Sequence, residues 1–233
     1  MKAENEKGNL AANETVTVVT PEEIEKFKAE AFRCWGTGKR IYQQSAAYIL
    51  MLNTGLRTGE VLGLLNSDID LENKVIHLQR GVKEIAKRDG AEAQLGREVK
   101  IGKLKSASCR RDVPLNNMAI EMIKELRNEF YFGEDSPLVC DENGDFTRPV
   151  NFRKRYYRIL EAAEIEKKDL HSLRHTFATN LVNGIKLEDG SIKALSPRQV
   201  ADLLGHSTSQ IAELYYVKKD TSRLSGITEG FEI

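Results

Sequence analysis

Apolar residues recur at helical spacing along most of the chain, and the recurrences mark out its elements. Leu170, Leu173, Phe177 and Leu181 lie three and four positions apart, which predicts a helix from Leu170 to about Gly184 with one stripe in the core. Ile24, Phe27 and Ala31 define an earlier helix. Its start is written in Thr20-Pro21-Glu22-Glu23, with Thr as N-cap, Pro at the first helical position and Glu closing a capping box. Ile41, Tyr48, Ile49 and Leu52 predict a helix from about Lys39 to Asn53, stopped by Gly55. After a turn at Arg57, the residues Glu60, Val61 and Leu64 make a short one. Met118, Ile120, Met122, Ile123 and Leu126 predict an amphipathic helix over Asn116 to Tyr131, closed by Gly133, and Arg148 to Ala163 is helical too. Ser196-Pro197 opens a short helix with Val200, Leu203 and Leu204, ending at Gly205-His206; another short helix covers about Ser209 to Val217.

The helical pattern is interrupted in the middle of the chain. Val75, Ile76 and Leu78 read as a strand, as does RRDVPL. Between them, residues 81–104 are charged and punctuated by glycine, the pattern of an elongated strand pair or a loop. The fold class predicted is therefore α+β and mainly α. It has one small three-stranded antiparallel sheet, built from the Val75 strand, an Arg97–Lys103 strand and an Arg110–Val113 strand. Asp189-Gly190 marks a turn, consistent with a small hairpin. Residues 1–15 are polar and without periodicity, a linker remnant. Residues 16–217 form one domain, and 218–233 a tail whose Ile227, Phe231 and Ile233 have little nearby to bury them.

Composition adds limits. With 233 residues and 40% apolar content the chain can bury a sizeable core as one domain. Its 35 basic residues balance 35 acidic ones, which argues against a generic nucleic-acid coat but leaves room for a local basic site. Cys34, Cys109 and Cys140 form no CxxC pair and are odd in number, so free thiols in a reducing compartment fit best. No signal peptide is evident, and no apolar run is long enough to span a membrane.

Local charge is concentrated in two places. Arg97, Lys100, Lys103, Lys105, Arg110 and Arg111 face a single acid, Glu98, over residues 97–111. FRKRYYR interleaves aromatics with Arg153, Lys154, Arg155 and Arg158. Either run reads as a solvated face or as contacts to phosphates that carry no sequence information. In the helix of residues 170–184, His171 and Arg174 are three apart and so share a face, with His175 beside them. That pair is expected to project from a face next to the apolar stripe.

Taken singly, each of these groups has an ordinary structural explanation. Their company is more specific. LRTGE (Leu56–Glu60), KSASCRRDVPL (Lys105–Leu115), HSLRHTFAT (His171–Thr179) and LGH (Leu204–His206) followed by a tyrosine occur in one order across most of the chain. In this it resembles the catalytic domain of tyrosine recombinases of the phage-integrase class. Ser106 stands where the family usually has Thr.

The resemblance implies site-specific breakage and rejoining of DNA strands through a 3′-phosphotyrosine, without metal, nucleotide or other cofactor. It implies Arg57 and Arg174 as phosphate-binding residues, Glu60 as the acid that orients Arg57, and His171 and His206 as donors to the phosphate, with His175 in support. Lys105 would protonate the leaving oxygen. The nucleophile would be Tyr215, nine residues after His206, although Tyr216 is adjacent and helical spacing assigns Tyr215 to the core beside Ile211. Partners implied are double-stranded DNA, further copies of the chain as a tetramer on DNA, and accessory DNA-bending proteins, in a bacterial cytoplasm on the nucleoid. A DNA-clamping domain preceding the linker and a tail exchanged between protomers also follow. Two alternatives stay open: a type IB topoisomerase that religates the same strand, and a DNA-binding accessory protein with an inactive site.

Overall fold

The computed structural model of the protein describes residues 17–89, 93–103, 110–186 and 191–205. Helix α1 (Pro21–Ala31) begins as its sequence dictates: the Thr20 hydroxyl accepts the Glu23 amide and the Glu23 carboxylate accepts the Thr20 amide at 2.8 Å. Its buried Phe27 meets Tyr48 of α2 (Ala46–Thr54) and Tyr156 of a later helix at ring separations of 5.9 and 5.6 Å. Nearly every residue of α2 is apolar and buried, the signature of a central helix rather than a surface one. The helices packed around it are α4 (Asn117–Glu129) and α6 (His171–Asn183).

The start of α2 corrects the sequence reading. Periodicity placed it near Lys39, but Gln44 adopts a left-handed backbone (φ 60°) and blocks the helix until Ala46. Gln44 is buried and spends its side chain on long-range partners. Its amide nitrogen donates to the Cys140 carbonyl and to Thr147 Oγ1 (2.6 Å), and its amide oxygen accepts from Arg155 (2.6 Å). Three satisfied contacts at a buried polar group offset the cost of the strained backbone.

After α2 the chain turns at Gly55 (φ 65°) into the single-turn α3 (Thr58–Val61) and a 3₁₀ turn at Asn66–Asp68. The three-stranded sheet follows, but with different members from those expected. Its antiparallel order is β1 (Ile69–Asp70), β2 (Val75–Leu78) and then β5 (Arg111–Pro114). The basic strand β4 (Ala93–Lys103) instead pairs with β3 (Arg80–Asp89) in a separate hairpin. Two of the three pairings are local: β3 and β4 adjoin in sequence, and the tight turn after Asp70, whose carboxylate accepts the Asn73 amide, folds β1 onto β2, while β2 and β5 meet across the intervening hairpin.

The hairpin comes close to α3 through main chain. A Cβ at Gly59 would lie 2.6 Å from the Val82 carbonyl oxygen, and one at Gly63 would lie 2.8 Å from Gly81 Cα. Glu84 on β3 receives Arg148, which opens α5 (Pro149–Ala162), at 2.8 Å. Beyond α6 come the short strands β6 (Ile185–Lys186) and β7 (Ile192–Lys193), paired as the Asp189-Gly190 signal suggested, then α7 (Pro197–Leu204). Ala178 and Val182 of α6 meet Val200, Ala201 and Leu204 of α7 in a small second core. Among the described residues, no helix is long and apolar enough to cross a membrane.

Candidate active site

The site is organised around one buried acid. Glu60 sits at the third position of α3 and is 3% exposed. Its Oε2 accepts the Arg57 backbone amide at 2.8 Å, closing the helix start, while its Oε1 accepts the Arg57 guanidinium at 2.8 Å. From β5, Arg111 donates to both carboxylate oxygens, at 3.2 and 3.1 Å. From α6, Arg174 brings a guanidinium nitrogen to 3.9 Å of Oε2. Burial alone would raise the Glu60 carboxyl, but Arg111 and then Arg57 outweigh it and hold its pKa below the ordinary carboxylate value. Three guanidinium cations thus surround one carboxylate, leaving the cluster net positive, and the Arg57 side chain remains 37% exposed.

Arg174 does not project from a surface face as its spacing suggested. It is 1% exposed and donates to the carbonyl of Gly55 at 2.6 Å and to that of Leu204 at 2.7 Å. These acceptors come from the turn after α2 and from the C-terminal end of α7, which close over it from two sides. Gly55 permits the approach, since a Cβ there would stand 2.5 Å from the Phe177 ring and 2.6 Å from Leu204. Cations are favoured at the last turn of a helix, where carbonyls lack intrahelical partners.

His171 is the first residue of α6, and solvent reaches it. The protein packed around its ring disfavours the charged form, and the Arg174 guanidinium adds to this, so its pKa lies below the ordinary imidazole value. The His175 ring stands edge-on to it, 4.5 Å away and at 88°. Desolvation first, and the His171 charge second, bring His175 down to about 4. Both surroundings therefore favour the neutral imidazole, the state in which a ring nitrogen can take up a proton. The approach of Arg174 to Glu60 brings α3 and the first turn of α6, which carries His171, to one site.

The remaining candidates divide. Lys105, His206, Tyr215 and Tyr216 lie outside the described residues, as do residues 1–15, the expected helix over 209–217 and the tail from 218. Gly205 ends α7 in a left-handed conformation (φ 66°), one residue before His206. Arg97 and Lys100 are exposed on β4, Lys103 closes that strand, and Arg110 is exposed before β5. Arg153, Lys154 and Arg158 are exposed on α5, whereas Arg155 is half-buried on Gln44. Arg111, grouped with the basic run by sequence, has a side chain only 8% exposed and turned into the site. The signal was present in the strand period. Arg111 and Val113 are two apart and share the inward face, while Asp112 points out.

The fold and this site together define a catalytic domain of the tyrosine-recombinase class. The chain belongs to the Phage integrase family, whose model matches residues 17–223. It is 31% identical to a XerC-like tyrosine recombinase of Caldanaerobacter subterraneus, over 91% of this chain and 57% of that protein. It is 27% identical to the transposase of transposon Tn916 from Enterococcus faecalis, over 86% of this chain and 47% of that protein. The chain thus spans about half the length of these curated relatives. Among solved structures, the Tn1549 transposon integrase in complex with transposon right-end DNA superposes with a TM-score of 0.70 at 23% identity, covering 94% of this chain and 67% of the other. The XerH site-specific recombinase in a post-cleavage complex with palindromic difH substrate gives 0.61 at 24% identity, covering 96% and 55%.

Proposed function

We propose that this chain is the catalytic part of a site-specific DNA recombinase that cuts and rejoins strands through a covalent phosphotyrosine. The observation that carries the reading is the meeting of Arg57 and Arg174 around Glu60, assembled from α3 and α6, which are far apart in sequence, with His171 one turn before Arg174 on α6. A phosphodiester is anionic and slow to break, so a protein nucleophile needs that charge neutralised and the leaving oxygen protonated. Arginine supplies the first with a planar fork matched to two phosphate oxygens. A positioned donor of this kind contributes about 3–4 kcal/mol to a charged transition state.

In the proposed step the phenol oxygen of Tyr215 attacks phosphorus, and its proton passes to the neutral imidazole of His171. The bond from phosphorus to the 5′ oxygen breaks, and Lys105 delivers a proton to that oxygen. The 3′-phosphotyrosine keeps the bond energy, and a 5′-hydroxyl of a partner strand reverses the step. His206 donates to a phosphate oxygen. The exchange consumes no nucleotide and needs no metal.

Double-stranded DNA is the proposed substrate, supported by the DNA complexes of the Tn1549 integrase and XerH. Arg97, Lys100, Lys103, Arg110, Arg153, Lys154 and Arg158 would meet backbone phosphates. Arg155, held by Gln44, would reach one only by giving up that bond. A tetramer on two duplexes, with residues 218–233 exchanged between protomers, is the proposed assembly, with DNA-bending proteins assisting it on a bacterial nucleoid.

The test starts from a library of nicked random-sequence duplexes, from which covalent protein–DNA adducts are recovered under denaturing conditions. A supercoiled plasmid carrying two copies of a captured sequence is then incubated with the chain. Exchange between the copies supports the recombinase. Relaxation alone means a type IB topoisomerase, and a mobility shift without adduct means an accessory binder.

A further inference from the structure

Glu60 and α7 are joined by a residue that the catalytic scheme above leaves unused. Arg111, at the start of β5, donates through both terminal nitrogens to Glu60 and through Nε to the Leu203 carbonyl at 2.9 Å. Arg174 takes the next carbonyl, that of Leu204. Two arginines from different elements thereby grip consecutive carbonyls at the end of one helix. Those carbonyls belong to the last turn, where intrahelical partners run out.

The connection runs further in both directions. On one side, Glu60 holds the Arg57 guanidinium by a single oxygen, Oε1, and Arg111 donates to that same oxygen. Removing Arg111 would leave the carboxylate held by Arg57, through its amide and its guanidinium, with the tie from Glu60 to the Leu203 carbonyl cut. On the other side, α7 ends two residues after Leu203 at Gly205, and His206 follows. The inward orientation of Arg111 is enforced by its strand: it pairs with Leu78 and shares a face with the buried Val113. All three of its guanidinium nitrogens already donate within the protein, two to the Glu60 carboxylate and one to the Leu203 carbonyl.

We propose that Arg111 is a positioning residue for strand cleavage. It locks the Glu60 carboxylate, and through it Arg57, to the C-terminal end of α7, so that both flanks of the phosphate site are held in one register. It acts through Glu60 and the α7 carbonyls and does not itself touch the phosphate. The inference rests on the recombinase reading of this site.

The test uses a nicked duplex that the wild-type chain captures covalently. Arg111→Lys keeps the charge but lacks the fork that serves two carboxylate oxygens and a carbonyl together. It is expected to bind the duplex within about threefold of wild type with the same salt slope, and to form adduct at least about tenfold more slowly at saturating DNA. Arg111→Gln should be slower again. In a Glu60→Gln background, Arg111→Gln should cost far less than it does in the wild type, because the group through which it acts is already altered. Thermal transitions confirm which variants are folded, and Arg111→Lys decides the matter alone if Arg111→Gln does not fold.

Wild-type adduct rates in Arg111→Lys would overturn the inference. So would affinity and rate falling together with the salt slope reduced by about one, the mark of a phosphate ligand. Full additivity with Glu60→Gln would overturn it too, by removing Glu60 as the intermediary. A wild-type chain that captures no duplex covalently brings down the recombinase reading and this inference with it. Normal capture by both wild type and Arg111→Lys brings down this inference alone.

Discussion

Replacing Glu60 by glutamine keeps the shape of the side chain and removes its charge, so it isolates what the acid does for the arginines around it. In the structure Oε1 accepts from Arg57 and Arg111, and Oε2 accepts from the Arg57 amide and Arg111, with Arg174 3.9 Å away. Every partner is a donor. Whichever way the amide is turned, its NH₂ group faces two donors, and three cations lose the carboxylate charge they share. Breaking a buried ion pair by altering one partner costs about 3–5 kcal/mol. For a domain of this size each kcal/mol moves the melting temperature by about 2–4 °C, so Glu60→Gln should melt about 6–20 °C below wild type.

The pH dependence has a definite sign. The folded-state pKa of Glu60 is lowered, so its contribution is fully present above the unfolded value of about 4.3 and is lost as pH falls through the lower folded value. The groups facing it are Arg57 on its own helix, Arg111 on β5, and Arg174 and His171 on α6. The difference between wild type and Glu60→Gln should therefore be constant from neutral pH down to about 5 and shrink in more acid solution. Chemical denaturation at a series of pH values measures it. A difference below about 1 kcal/mol at pH 7, or one that grows on acidification, would refute the reasoning.

Gly55→Ala should destabilise by about 2–4 kcal/mol, combining a left-handed backbone with crowding against Phe177 and Leu204, and a denaturation midpoint reads it directly. Arg57→Lys should keep DNA affinity while losing most adduct formation, since lysine retains the charge without the fork; unchanged adduct yield would move Arg57 away from the phosphate. Lys105→Ala should cleave poorly on ordinary DNA and recover on a substrate with a 5′-bridging sulfur, which needs no proton to leave. Tyr215→Phe should abolish the covalent adduct and Tyr216→Phe should not, a contrast that denaturing gels settle.

What could be read in the sequence depended on how local its cause was. Thr20-Pro21-Glu22-Glu23 dictates its helix start because all the partners lie within one turn, and the structure has that start. The ordered motifs point to Arg57, Glu60, His171 and Arg174 through the family resemblance, and in the structure Arg57 and Arg174 come together on Glu60. The burial of Arg174 was not legible, because its acceptors are carbonyls of residues 55 and 204, and backbone carbonyls carry no residue signature. The start of α2 was hidden likewise by the long-range partners of Gln44, which override local helical spacing. The third strand of the sheet was misassigned because alternation shows that a segment is extended but not which neighbour it pairs with. Arg111 is the instructive case: its basic neighbours suggested solvent, while the two-residue period it shares with Val113 pointed inward.

The join between α3 and the β3–β4 hairpin has a consequence for how such a chain can vary. The contact is glycine against main chain at Gly59 and Gly63, so it is indifferent to the side chains the hairpin carries further out. The footing of the hairpin, at Gly81 and Val82, is what meets these glycines. Lengthening it away from that footing is cheap, since doubling a loop costs only about 0.6 kcal/mol in chain entropy. A hairpin footed in this way tolerates changes of length far from α3, while any side chain added at its glycine footing is punished. One continuous stretch of chain thus combines a footing that fixes residue type with an arm that fixes little.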